Sequence, residues 1–507
     1  MYNLCMQAIS PQDRRFLSSV AQLGYGNPFL PERIAFEKAA LGREFVPGGP
    51  VWSASVSDPD AEPPNVASIY KKLSLLMESL PARLAAAPDV GEEEFSAYEE
   101  SVHYLLYQRY HAHFVAAQGK WRFYREFLAD WNRLCRIPGK RFESGLEPAH
   151  VFACFRQIQR AFHQIYDNII GNSMPAARLR ASIWQSIFTH DMRRYRRGLY
   201  LRMGEFPTLI TGPSGTGKEM IARAIAGARY VPFDPQRMEF ADAPGESFLP
   251  INIAALSPTL IESELFGHRR GSFTGAIGDR KGWLEACPAT GSVFLDELGD
   301  MDLAIQVKLL RVIETRRFSA VGDTAAREFQ GKLIAATNRD LPAEIRAGRF
   351  REDLYYRLCA DLIQTPSLAD QIRDSPRVLH ELVHYMTLRT VGHEAERCLP
   401  EVEEWMAKHL PAEYAWPGNY RELEQCVRNV IIRRSYQPLE QVAGPVEDEF
   451  FTRFRSGDLS VDELLARYAA RVYRLTGSYE EAARRMGLDR RTVKAKVELY
   501  LEADDRN

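Results

Sequence analysis

The sequence has no run approaching 18 apolar residues, so no membrane-spanning helix is expected. Its first 15 residues lack a basic stretch followed by an apolar one, so no secretory signal is expected. Cysteine is scarce: seven in 507 residues, none paired as Cys-x-x-Cys. That spacing excludes a disulfide framework and points to a reducing cytoplasm. Neither charge sign is in excess, with 65 Lys+Arg against 67 Asp+Glu. A globally basic nucleic-acid binder is therefore excluded, and any such site must be a local basic patch. Internal repeats and low-complexity tracts are also missing.

The hydrophobic share of 45% and charged share of 26% are those of an ordinary folded protein. The length suggests roughly three domains. Residues 1–165 read as mostly helical, broken by a loop containing Pro47, Gly48, Gly49, Pro50, Pro59, Pro63 and Pro64. Tyr104, Tyr107, His111 and Phe114 recur at helical spacing, as do Trp121, Tyr124, Leu128 and Trp131, which predicts two amphipathic helices. From about Phe206 short apolar runs alternate with helical stretches, the pattern of a parallel sheet built from βαβ units. Helical texture returns from Pro366 to Arg434.

The strongest local signal is Gly212-Pro213-Ser214-Gly215-Thr216-Gly217-Lys218-Glu219. It follows an apolar strand pattern and opens a helical one, as a phosphate-binding loop must. The glycines let successive backbone N–H groups turn toward phosphate oxygens, and the helix adds its positive end. Lys218 is suited to the β- and γ-phosphates. Glu219 stands where Ser or Thr commonly meets magnesium. Val293-Phe294-Leu295-Asp296-Glu297 reads as a buried strand delivering two carboxylates at its end. Asp296 is expected in the Mg²⁺ shell and Glu297 beside the attacking water, so ATP and Mg²⁺ are the expected cofactors.

Between these motifs lie Glu264-Leu265-Phe266-Gly267-His268 and Gly271-Ser272-Phe273-Thr274-Gly275-Ala276. The pair resembles the signature of the sigma-54-dependent transcriptional activators, bacterial enhancer-binding proteins of the AAA+ class. Ser272 replaces the usual Ala, and Glu219 is the residue that the family carries. Gly271 and Gly275 permit a tight loop, with Phe273 and Thr274 expected exposed at its tip. The resemblance implies that this loop engages the sigma factor as ATP is turned over. It further implies that Asn252 holds Glu297 until the γ-phosphate is sensed, and that Asn338 is sensor I. By the same match, Arg351 and Arg357 reach into a neighbour's ATP, and Arg421 is sensor II. Those shared sites imply a homo-oligomeric ring, which the resemblance implies is hexameric. Two departures stand out: Pro366-Ser367-Leu368-Ala369-Asp370-Gln371 replaces a Pro-Pro-Leu-Arg-Glu-Arg segment, and Lys332 replaces an arginine.

Asn419 is expected to cap the next helix, with Glu422 completing a capping box. Ser478-Tyr479-Glu480-Glu481 reads as a second capping box. It opens a helix-turn-helix with Asp489 capping the second helix. Arg490, Arg491, Thr492, Lys494 and Lys496 are expected to meet double-stranded DNA. This end is similar to a Fis-type domain, and the preceding helix, Val461 to Leu475, is expected to help form a dimer.

The expected organisation is therefore multidomain. A mostly helical N-terminal regulatory domain (1–165) precedes an α/β AAA+ P-loop ATPase core (170–365) with a helical lid (366–436). A linker (437–460) leads to a small all-α helix-turn-helix domain (461–507). The leading expectation is a cytoplasmic ATP-hydrolysing activator that binds upstream DNA and remodels the sigma-54 RNA polymerase holoenzyme, with no membrane contact. A remodelling ATPase with another target and a DNA-binding regulator that does not hydrolyse ATP are the alternatives. Residues 1–165 lack the βα repeats and strand-end acids of a phosphorylated receiver. His103, His111, His113, His150 and His163, with Cys135 and Cys154, fit no standard metal-ligand spacing and are read as structural.

Overall fold

The computed structural model describes residues 9–48, 63–87, 90–117, 119–142, 144–241, 247–411, 413–438, 457 and 460–504. Pro50, Pro59 and most of the 437–460 segment lie outside that set. Two compact units are present, 1–435 and 436–507.

The larger unit begins with eight α-helices: α1 (Pro11–Tyr25), α2 (Glu32–Leu41), α3 (Pro64–Ala86), α4 (Glu92–Ala116), α5 (Tyr124–Cys135), α6 (Pro148–Asn168), α7 (Met174–Phe188) and α8 (Met192–Arg197). Local chemistry starts them. Ser10 caps α1 by accepting the Asp13 N–H, and Pro11 sits where no helical N–H partner is needed. Glu92, Glu93 and Glu94 place negative charge at the positive end of α4. The expected aromatic helices are α4 and α5, although Trp121 precedes α5 rather than lying on it. Their rings form one core: Tyr110, Phe114, Phe127, Trp131 and Phe152 are all buried.

The core's second layer is a five-stranded, all-parallel sheet. Its spatial order is Asp361–Gln364, Thr208–Thr211, Lys332–Thr337, Ser292–Asp296, Phe248–Asn252. The central strands are continuous apolar runs because helices cover both faces. The helix Lys218–Gly227 follows the Thr208–Thr211 strand, and helices between Leu368 and Arg433 complete the unit.

The N-terminal helices are packed into this sheet domain. A short hairpin, Phe233–Asp234 with Glu239–Phe240, inserts both phenylalanines into the aromatic core. Phe233 lies 4.8 Å from the rings of Tyr124 and Phe152, and the Arg156 guanidinium sits 3.8 Å over Phe240. Helix α6 also holds the end of the Lys218–Gly227 helix. The Gln157 side-chain amide donates to the Ala228 carbonyl at 2.8 Å, and Arg160 donates to the Gly227 carbonyl.

Among its described residues the smaller unit contains three helices, Val461–Thr476, Tyr479–Met486 and Arg490–Asp504. Ala469, Val472, Ala482, Ala483, Val493 and Val497 form its core, with Met486 and Leu488 packed against it. The side chains of Tyr500 and Leu501 on the last helix lie outside the described residues. Asp489 caps the last helix as expected, its carboxylate accepting the Thr492 N–H at 3.0 Å. The capping box at Ser478 does not form: its side chain makes no cap bond, while Thr476 Oγ1 donates to its carbonyl. No described helix is long and apolar enough to cross a membrane.

Candidate functional site

The phosphate loop runs between the Thr208–Thr211 strand and the Lys218–Gly227 helix, as its glycines require. Gly212, Gly215 and Gly217 all have positive φ, at 142°, 76° and 84°. Only glycine enters this region at low cost. A Cβ on Gly215 would lie 2.2 Å from the Gly418 carbonyl oxygen, so the loop also needs glycine for close approach. Lys218 is buried, and its Nζ donates to the Gly212 and Pro213 carbonyls at 3.0 Å each. Burial lowers its pKa, opposed by the nearby Glu297 and Asp296 carboxylates. Thr216 Oγ1 donates to the Pro213 carbonyl and meets Thr365 Oγ1 at 2.7 Å. Glu219 points outward and accepts two bonds from Arg223, at 3.1 and 2.7 Å.

Two strands away, Asp296 and Glu297 end Ser292–Asp296. Asp296 accepts the Glu297 N–H at 3.0 Å, and burial raises its pKa. Glu297 occupies the left-handed region at φ 54°, an uncommon conformation for a residue with a side chain. Its Oε2 is buried without a hydrogen-bond partner. Such an atom is costly unless something arrives to bond it.

The residues around this pair have partners or positions of their own within the chain. Asn252 lies beside Asp296 in the sheet register, but its Oδ1 accepts the Ala255 N–H at 3.2 Å and it makes no bond to Glu297. Asn338 is exposed just past the Lys332–Thr337 strand. Arg351 is held by Asp353, with bonds at 3.0 and 2.6 Å, and Arg357 by Glu314 at 3.2 Å. Both arginines are exposed and lie on the surface within this one chain. The Gln306 side chain fixes their segment, accepting the Arg351 N–H and donating to the Arg349 carbonyl.

Arg421 reaches Ser214 Oγ at 3.5 Å. Asn419 is not the cap of its helix; Gly418 is, and Glu422 accepts the Gly418 N–H at 2.7 Å. Asn419 is instead the first helical residue, buried and at φ 52°. Its amide donates to the Ser214 carbonyl at 2.9 Å, and its oxygen accepts the Leu368 N–H at 2.8 Å. With Tyr420 N donating to the Gly215 carbonyl, it ties the helical segment to the phosphate loop. Thr365, Gln306 and this bridging role of Asn419 were missed, because each acts on a residue distant in sequence.

The Gly271–Ala276 hexapeptide is a self-bonded turn. Gly271 N donates to the Ala276 carbonyl at 2.9 Å, and Ala276 N to the Phe273 carbonyl at 3.0 Å. Gly271 and Gly275 have positive φ, at 80° and 102°. Ser272 Oγ donates to the Arg269 carbonyl at 2.6 Å. Thr274 is exposed as expected, but Phe273 is half-buried, edge-on to His268 at 4.9 Å. The exposed apolar side chain here is Ile277, at 87%.

In the smaller unit Arg490, Arg491 and Lys494 face outward. Lys496 is turned to Asp462 at 2.8 Å, and the Thr492 hydroxyl donates to Asp489. These two are therefore occupied within the unit, as are Arg490, paired with Glu480 at 3.3 Å, and Lys494, paired with Glu498 at 3.6 Å. The histidines and cysteines of the N-terminal helices form no metal cluster among the described residues.

Residues 191–364 match the Sigma-54 interaction domain family. The transcriptional regulatory protein ZraR of Klebsiella oxytoca is 39% identical over 57% of this chain and 62% of its own. The regulatory protein LuxO of Vibrio vulnificus is 38% identical over 51% of this chain and 53% of its own. The transcriptional regulatory protein GlrR of Escherichia coli is 37% identical over 53% and 57%. The chain thus spans between half and two thirds of the length of these relatives. A sheet ordered as described, a glycine loop on its first strand and the hexapeptide turn all fall in the segment that matches the Sigma-54 interaction domain.

Proposed function

We propose that the protein is an ATP-hydrolysing transcriptional activator that binds upstream double-stranded DNA and remodels the sigma-54 RNA polymerase holoenzyme. One observation carries the reading: Lys218, Asp296, Glu297 and Arg421 converge at one edge of the sheet, in a domain that also bears the Gly271–Ala276 turn.

In this reading the backbone N–H groups of Gly215–Lys218 and the Lys218 ammonium bind the ATP phosphates, the lysine exchanging loop carbonyls for phosphate oxygens. Glu297 Oε2 takes a proton from the attacking water, the partner that this buried oxygen lacks. Asp296 is the residue to hold Mg²⁺; a carboxylate at a strand end suits a hard cation. Bound there, the ion neutralises charge on the phosphates. Arg421 and Asn338 orient the terminal phosphate, and Asn252 restrains Glu297 after releasing Ala255. Arg351 and Arg357 act on the neighbouring subunit's site, and must first release Asp353 and Glu314. Activity therefore needs a ring, hexameric by resemblance.

The Gly271–Ala276 turn is the contact with the sigma factor. Phe273 reaches that partner by leaving His268, while Thr274 is already exposed. DNA is held through Arg491, with Arg490, Lys494, Lys496 and Thr492 available once their present partners are exchanged. The decisive experiment is Thr274→Ala. ATP turnover is expected to persist while open-complex formation on a sigma-54 promoter stops. Retained open-complex formation would remove the proposed contact and favour a remodelling ATPase with another target.

A further inference from the structure

Arg339 follows Asn338 directly, but its side chain pairs with Asp300 and, at 3.6 Å, with Glu344. Asp300 belongs to the turn after Glu297, where its N–H donates to the Glu297 carbonyl at 3.0 Å. A Cβ on Gly299 would lie 2.9 Å from both Thr337 Oγ1 and Arg339 Cδ, so this turn and the end of the Lys332–Thr337 strand are in close contact.

Glu344 lies in the short helix Leu341–Arg346, which Asp340 opens by accepting the Ala343 N–H at 3.1 Å. It grips Arg349 twice. Its carboxylate accepts a forked pair of bonds from the guanidinium, at 2.6 and 2.9 Å, and its carbonyl accepts the Arg349 N–H at 2.9 Å. A forked pair fixes orientation as well as distance. The bond from Arg349 holds the Glu344 carboxyl below the usual carboxylate range, and Arg339 acts in the same direction. A chain of ion pairs therefore runs Asp300, Arg339, Glu344, Arg349, from the turn after Glu297 to a point two residues short of Arg351.

A second tie reaches the same segment. Gln306 is fully buried, and its amide donates to the Met301 carbonyl at 2.8 Å and to the Arg349 carbonyl at 3.1 Å. Its oxygen accepts the Arg351 N–H at 2.9 Å. Both ties end at Arg349–Arg351, while the Arg351 guanidinium itself is held by Asp353.

We propose that Arg339 is a positioning residue for Arg351, acting through Glu344 and Arg349. It fixes where the arginine segment stands, so its loss impairs the neighbouring chain's site rather than the site it lies beside. Ion pairs as exposed as these add little to stability. A displacement of about 1 Å in a group that acts on the transition state, by contrast, costs up to about 10²-fold in rate. The inference rests on the proposed sharing of each site between chains.

The test is steady-state ATP turnover of the full chain carrying Arg339→Gln, alone and mixed with an excess of Lys218→Ala chains. Lys218→Ala is expected to lack a working site but to present Arg351 on an unaltered chain of ion pairs. Alone, Arg339→Gln should lose about 10–100-fold in kcat, with ATP affinity and thermal unfolding nearly unchanged. In the mixture its sites face unaltered arginines, and turnover per Arg339→Gln chain should rise at least about fivefold. No rise would place the defect in its own site, through Asn338, and overturn the proposal. Undiminished turnover of Arg339→Gln alone, or a loss of ATP affinity as large as the loss of rate, would overturn it too. Arg351→Ala mixed with the same Lys218→Ala chains is the control. If the control also stays inert, sites are not shared between chains and the relay falls with that reading. If the control recovers and Arg339→Gln does not, the relay alone falls. Should Arg339→Gln not fold, Glu344→Gln is measured in the same way and judged by the same outcomes.

Discussion

The nucleotide edge of the sheet and its joint with the N-terminal helices are built on different logic. At the nucleotide edge each element is a short motif that folds by its own rules: glycines with positive φ, a carboxylate at a strand end, a self-bonded turn. At the joint almost every contact is long-range. Gln157 meets Ala228 across 71 residues, His150 meets Tyr230 across 80, and Arg196 meets Glu100 across 96. The first region is specified locally and the second only by the completed fold. The difference teaches where control can enter, because the joint grips the far end of the helix that begins at Lys218.

The sharpest way to break this division is to disable the nucleotide edge without touching the fold. Arg351→Ala is expected to lower turnover about 10³-fold or more, as arginines supplied in trans do elsewhere, with thermal stability nearly unchanged. A loss of stability comparable to the loss of rate would mean that Arg351 is structural.

At the joint the order of effects should reverse. Arg196 and Glu100 form an ion pair with both side chains under a tenth exposed. Glu100→Gln should destabilise the chain by about 3–5 kcal/mol in urea unfolding, because Arg196 is left buried and uncompensated. Although burial alone would raise the Glu100 pKa, Arg196 and His103 hold it down at about 2. The pair therefore contributes fully above the ordinary carboxylate value of 4.5, and its contribution is lost as pH falls from there toward 2. Glu100→Gln should remove that acid-dependent step, and an unchanged pH profile would contradict the assignment.

Asn419 lies between these extremes, since it ties one region's loop to helices outside it. Asn419→Ala deletes bonds to Ser214 and Leu368, and should weaken nucleotide affinity by about tenfold, equivalent to about 1.4 kcal/mol. Asn419→Gly keeps the positive φ at low cost and separates backbone strain from bridging; equal effects assign the loss to the side chain.

The smallest effects lie in the C-terminal three described helices. Ser460 accepts the Glu463 N–H at 3.2 Å, while the Ser478 side chain makes no cap bond. Ser460→Ala should cost about 1 kcal/mol and Ser478→Ala under about 0.5 kcal/mol in thermal unfolding. Equal losses would show that the Ser478 cap forms after all.

The legibility of the sequence follows the same division. The phosphate loop, the Asp296–Glu297 strand end, the hexapeptide turn and the C-terminal helices were readable because residue type and spacing within a few positions dictate each. The errors have the same origin. Asn419 has a capping residue's chemistry and Glu422 the right spacing, yet Gly418 takes the cap while the amide turns to the phosphate loop. Phe273 was expected at an exposed tip, but His268 supplies a ring for it to pack on. The aromatic helices were foreseen; their merger with Phe233 and Phe240 was not, because the partners lie about a hundred residues apart in sequence.

The central claim is that neighbouring chains share each site, and mixing two inactive variants tests it most directly. Lys218→Ala lacks its own phosphate grip but keeps its arginines, whereas Arg351→Ala keeps the grip and lacks the arginine. Each alone should be inert, and the mixture should recover a substantial fraction of ATP turnover, rising with protein concentration as rings assemble. A mixture as inert as its two components, at concentrations where the unsubstituted chain is active, would contradict sites shared between chains.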